Sequence, residues 1–214
     1  MAGLALTGTP QPLALPPALQ GRVRAQAVRM AAAASGVLPR EAMREAVYRA
    51  IGEALAPQLG CAPAQLAVQR RAGQAPQLLR NGQALAGWQL SISYADAMAV
   101  WACTQHGCVG IDVQGLPGSA STDIDAAGWP AVAALYLEPD AAAALTGLQR
   151  MDWQRGFARQ WARLEAQLKC AGLALTEADD RPAGWRTGMV VTELQTDAGP
   201  VAVAWRAPAQ AASG

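Results

Sequence analysis

Apolar residues recur at four-residue steps at Met43, Val47, Ile51 and Leu55, a spacing that predicts a helix from Pro39 to about Leu59, closed by Gly60. A longer helix is expected over 152–171, with Gly172 as its cap. Between them the pattern shortens into apolar or alternating runs. Residues 66–70, 88–92 and 109–113 read as strands, and 97–104 as a buried strand, its alanines leaving a short helix open. Gly73-Gln-Ala-Pro76 and Gly107 make turns, and Ser93-Tyr94-Ala95-Asp96 has the chemistry of a turn or helix start. Residues 23–35 form an alanine-rich stretch. A helix is expected over about 125–148 with a break at Glu138-Pro139, and two strands near 185–194 and 201–205.

The order mixes helices and strands without the regular alternation of a doubly wound sheet, which favours an α+β fold. Gly, Pro and Ser concentrate over 115–122, the best internal boundary, so residues 1–117 and 118–206 are expected to form two halves. The second half repeats the first half's general order of elements. Residues 207–214 are expected to be a disordered tail. The first twenty residues are apolar and uncharged, but they lack a basic leading region and carry Pro10, Pro12, Pro16 and Pro17. That argues against a signal peptide or membrane span and for a strand or arm packed on the body.

Composition narrows the function. Of the 214 residues, 52% are hydrophobic and 15% charged, a globular rather than disordered balance. The net charge of +1 provides no basic field for nucleic acid. Arginines are nevertheless dense over 22–80, where Arg40, Arg44, Arg70 and Arg71 are available to an anionic small ligand or acidic partner. The four cysteines form no paired metal spacing, and buried thiols in a reducing cytoplasm are the expectation. Nothing sets an oligomeric state beyond a monomer or weak dimer.

Two segments carry candidate chemistry. Cys108-Val-Gly-Ile-Asp-Val-Gln114 ends an apolar strand on Asp112, and Trp161-Ala-Arg-Leu-Glu-Ala-Gln-Leu-Lys169 places Glu165 and Lys169 on one helix face. If the fold brings Asp112 and Glu165 together, they make an oxygen-lined site for Mg²⁺ and a diphosphate. Simpler roles stand beside this: a strand-end acid for Asp112, and an ordinary helix ion pair for Glu165 and Lys169.

These segments, with the downstream Gly172, resemble the Sfp-type 4′-phosphopantetheinyl transferases. That family carries a Gly-[Ile/Val]-Asp-x-Glu strand and a Trp-[Ser/Thr]-x-Lys-Glu-Ala-x-x-Lys helix. Upstream it carries Gly-Lys-Pro and Ser-x-Ser-His turns, which Gly73-Gln-Ala-Pro76 and Ser91-Ile-Ser-Tyr94 match in order. The resemblance covers about residues 35–175. It implies two similar α+β halves related by a pseudo-twofold, with coenzyme A in the cleft between them. It also implies transfer of the phosphopantetheine arm to a serine of an acyl or peptidyl carrier protein.

By the same resemblance, Asp112, Glu165 and Gln114 ligate Mg²⁺. Glu165, Asp140 and Lys169 are the catalytic candidates, and Arg40, Arg44, Ser93, Tyr94 and Lys169 would bind coenzyme A. Four departures accompany the match. Gln114 stands where a second acidic ligand is expected, Leu164 where the helix lysine is, and Tyr94 where the turn histidine is. Gln74 and Ala75 occupy the neighbourhood of the turn lysine. The alternative implied is a transferase-like protein that binds coenzyme A or a carrier protein without transfer.

Overall fold

A computed structural model describes residues 10–30, 40–95, 98–115 and 128–208. Most of the proposed boundary, Asp96 and Ala97, and the tail beyond 208 lie outside the described residues.

The strands are β1 (Gln11–Pro12), β2 (Arg24–Arg29), β3 (Leu66–Gln69), β4 (Gln77–Arg80), β5 (Gln83–Ala84), β6 (Gln89–Ala95), β7 (Met98–Thr104), β8 (Cys108–Val113), β9 (Met189–Thr196) and β10 (Gly199–Arg206). The helices are α1 (Arg40–Leu59), α2 (Trp129–Tyr136), α3 (Pro139–Ala143) and α4 (Arg150–Ala171). Every strand pairing is antiparallel, in three sheets ordered β1-β2-β7-β6, β8-β10-β9 and β3-β4-β5. The fold is α+β.

Alternation along the central strands sets the layers. Met98, Val100 and Ala102 of β7 share one core with Val109, Ile111 and Val113 of β8 and with Val201, Val203 and Trp205 of β10. The first two sheets therefore face each other. The opposite face of β7, through Ala99, Trp101 and Cys103, packs under α1, whose Met43, Val47, Ile51 and Leu55 are all buried. On the far side of the second sheet, Ala202 and Ala204 of β10 meet Ala162, Ala166 and Cys170 of α4. The layer order is helix, sheet, sheet, helix, with α2 and α3 packed on α4 around Phe157, Leu164 and Leu168. Each fully buried aliphatic or aromatic side chain contributes about 1.5–3 kcal/mol.

Several expectations change. The alanine-rich stretch contains β2, whose Ala25 and Ala27 face the shared core while Val28 faces α1. Ser93 and Tyr94 are not in a turn: Ser93 pairs with Val100 and Tyr94 with Ala99, because the β7 ladder outweighs local turn preference. The break expected at Glu138-Pro139 is present, between α2 and α3, but α3 ends at Ala143 rather than near residue 148. The strand expected from Trp185 begins only at Met189, after a turn. Gly172 does cap α4, at φ 70° and ψ 25°, donating to the carbonyls of Leu168 and Lys169.

Gly110 decides how closely α4 approaches β8. A Cβ there would lie 1.9 Å from the Ala166 carbonyl oxygen and 2.6 Å from the Cys170 nitrogen, both backbone atoms in a helix that cannot yield locally. Gly110→Ala should therefore cost at least the ~1–3 kcal/mol typical of overpacking. Urea denaturation would show this as a lower midpoint; an unchanged midpoint would mean that α4 slides freely on the sheet.

Candidate functional site

Along β8, residues 109, 111 and 113 point into the shared core, so 108, 110 and 112 face α4. The close seat at Gly110 brings Lys169 to Asp112. Asp112 is 1% exposed, and both its carboxylate oxygens are in use. Ser93 Oγ and Lys169 Nζ each donate to Oδ1 at 2.6 Å, and Gln114 Nε2 donates to Oδ2 at 2.8 Å.

Lys169 Nζ also reaches the Ile111 carbonyl at 3.4 Å and Glu165 Oε2 at 3.5 Å. Glu165 is oriented from its other side by the Trp161 indole, whose Nε1 donates to Oε1 at 3.1 Å. Segments far apart in the chain thus gather Ser93, Asp112, Glu165 and Lys169 into one hydrogen-bonded cluster. Charge-assisted bonds of this length are the strong ones, and removing one partner of a buried pair leaves an uncompensated charge.

Two contributors lay outside the sequence reading. Ser91 Oγ accepts the Ile111 N–H at 3.1 Å, so serine side chains bring β6 against the edge of β8. Trp161 is packed in the α4 aromatic core, yet its indole also orients Glu165. The Ser-x-Ser spacing was a signal for the first; nothing marked the second.

The remaining candidates sit elsewhere. Tyr94 points to the opposite face of β6 from Ser93 and packs against the α1 core. Burial, chiefly, pushes its phenol up to about 12; neighbouring Tyr48 raises it further, while Arg44 and Arg70 pull it back. Tyr94 is therefore a neutral donor with two guanidinium groups nearby. Arg40, the first residue of α1, is exposed and has no hydrogen bond or ion pair among the described residues.

Asp140 is exposed in the first turn of α3 and makes no contact with Asp112, Glu165 or Lys169. Its neighbour Glu138 is committed to Arg186 at 3.3 Å and to the buried Arg181 at 3.2 Å. Arg181 further donates to the Tyr136 and Thr176 carbonyls. Burial lowers its pKa even though Glu138 opposes that change.

Leu164 is 4% exposed in the aromatic core of α2–α4, so that position faces away from the polar cluster. Arg163, one residue before it, is paired with Glu193 at 3.1 Å, and neither arginine nor leucine supplies the missing cation.

The donor chemistry suits a hard divalent ion. Asp112 and Glu165 supply carboxylates, Gln114 carries an amide oxygen, and the two acids already share one cationic neighbour in Lys169. Among the described residues no third carboxylate, histidine or cysteine joins them. A divalent ion at Asp112 would require Lys169 to release it; Lys169 is 31% exposed and has room to turn outward.

No protein-family model matches the chain, and no curated protein sequence does.

Replacing the ammonium should expose how the cluster is held. Lys169→Met is expected to destabilise the fold by ~3–5 kcal/mol, because it leaves Asp112 charged and buried. Asp112→Asn combined with Lys169→Met should recover much of that loss, a coupling measurable by a denaturation cycle. Additive losses would mean that Lys169 and Asp112 do not compensate each other.

Proposed function

We propose that the chain is a 4′-phosphopantetheinyl transferase, moving the phosphopantetheine arm of coenzyme A to a serine of an apo acyl or peptidyl carrier protein. The observation that carries this reading is the meeting of Ser93, Asp112, Glu165 and Lys169 within one hydrogen-bonded cluster. They come from β6, β8 and α4, the segments whose motifs resemble that family. The two sheets, each backed by a helix, support the further expectation of two similar halves. No helix among the described residues is long and apolar enough to cross a membrane, and the four cysteines are free. Both suit action in the cytoplasm on a soluble carrier.

In this reading Asp112, Glu165 and the Gln114 amide oxygen would hold Mg²⁺, which would supply charge neutralisation to the diphosphate. Lys169, released from Asp112, turns its ammonium to a phosphate oxygen and stabilises charge as the bridging P–O bond breaks. Glu165 accepts the proton of the carrier serine as its oxygen bonds to the phosphorus bearing the pantetheine arm. Ser93 holds Asp112 in place from β6. Arg44 and Arg70, near Tyr94, are the cations available to a second phosphate. Asp140 requires movement of α3 to take part.

A second reading, coenzyme A or carrier binding without transfer, draws on three features. Lys169 occupies Asp112, Leu164 is buried in the core, and Gln114 presents its amide nitrogen to the acid.

Intact-protein mass spectrometry of a panel of apo carriers, incubated with the protein, coenzyme A and Mg²⁺, separates the readings. The transferase reading expects a mass gain of one phosphopantetheine arm and a rate at least ~100-fold lower in Asp112→Ala. No gain on any carrier, together with a coenzyme A-dependent rise in melting temperature, would favour binding alone. Full activity in Asp112→Ala would remove the proposed site.

A further inference from the structure

A cavity lies beside the β7–β8 turn, before the start of β8, whereas Asp112 is near that strand's end. It has a volume of about 550 Å³ and opens between the N-terminal arm, the start of β2 and the β7–β8 turn. Arg22, Arg24 and His106, the chain's one histidine, line it; among the described lining residues none is acidic. Gln20 and Gln105 add amide groups, and Trp88 adds an aromatic wall.

The cationic side of this cavity is built rather than merely exposed. Thr104, 3% exposed, donates through Oγ1 to the Arg22 carbonyl at 2.6 Å and accepts from the His106 N–H at 3.0 Å. Trp205 donates through Nε1 to the His106 carbonyl at 2.7 Å, and its ring carries the Arg22 guanidinium 4.9 Å from the centroid. One hydroxyl and one indole therefore tie the main chains of Arg22 and His106 together, and the Trp205 ring seats the Arg22 guanidinium. Arg24 is anchored separately, its Nη1 donating to the Ala54 carbonyl at 2.6 Å. Even so, its guanidinium retains other N–H groups for an anion.

We propose that this cavity binds a phosphorylated small molecule of about mononucleotide size. Arginine forks match phosphate oxygens in pairs, and fixing them beforehand lowers the ordering cost of binding. Trp88 offers a face for a planar or apolar body. The volume of this open cavity falls within the range of small-ligand sites. A net charge of +1 gives no extended basic surface for a polyanion. The proposal is independent of the transferase reading, since no residue of the Asp112 cluster lines the cavity.

Because there is a single histidine, proton NMR of the untagged chain yields one imidazole signal set that reports on this cavity. AMP and inorganic pyrophosphate should each shift it in a saturable way at millimolar concentration, whereas adenosine should not. Arg22→Gln with Arg24→Gln should weaken the response at least tenfold. In the wild type, raising KCl from about 50 to about 500 mM should weaken it too, a readout that survives if the double variant fails to fold. The proposal is overturned by an unmoved signal, by an equal response to adenosine, by an unchanged response in the folded double variant, or by indifference to salt. AMP raising the melting temperature with the histidine signal still unmoved would place binding elsewhere and overturn it as well.

Discussion

The ion pair between Asp112 and Lys169 is the constraint on which the arrangement depends. A carboxylate 1% exposed is costly unless its charge is met and its oxygens are bonded. The ammonium at 2.6 Å meets the charge, while the Ser93 hydroxyl and Gln114 amide complete the bonding. Those partners belong to three layers of the fold, so satisfying one buried acid also sets β6 against β8 and β8 under α4. Gly110 makes the pairing possible, because a Cβ there would meet the α4 backbone. The hydrophobic effect supplies most of the driving force but is indifferent to register; this pair is specific.

The same economy explains how a structural pair could serve chemistry. In the proposed reading a divalent ion would compete with Lys169 for the position between Asp112 and Glu165, because Asp112 stays charged and buried only with a cation beside it. An ion taking the acids would free the lysine for a phosphate oxygen. Gln114 weakens the negative charge of the site relative to an acid, and that favours the lysine in the competition. Tyr94 and Leu164 do not restore the balance: one is a neutral phenol on the α1 face, the other a core residue.

Much of this was legible in the chain where pattern and tertiary context agree. α1 follows its four-residue spacing, Gly172 ends α4 in the left-handed conformation, and β8 ends near its acid. β2 was hidden because alanine has weak strand preference, and only covering on both faces turns Arg24–Arg29 into a strand. Ser93 and Tyr94 read locally as a turn, but pairing with β7 extends them. At the site, motif positions anticipated the residues that meet, Asp112, Ser93, Glu165 and Lys169, but not the state of their contacts. That Lys169 sits on Asp112, and that Trp161 orients Glu165, are consequences of packing between elements distant in sequence.

The most direct test of the account is a crystal structure of the chain with coenzyme A and Mg²⁺. The expected result is the diphosphate beside Asp112 and Glu165, with Lys169 Nζ turned from Asp112 to a phosphate oxygen. Coenzyme A bound elsewhere, with the Asp112–Lys169 pair intact, would contradict it and leave the cluster a structural fastening.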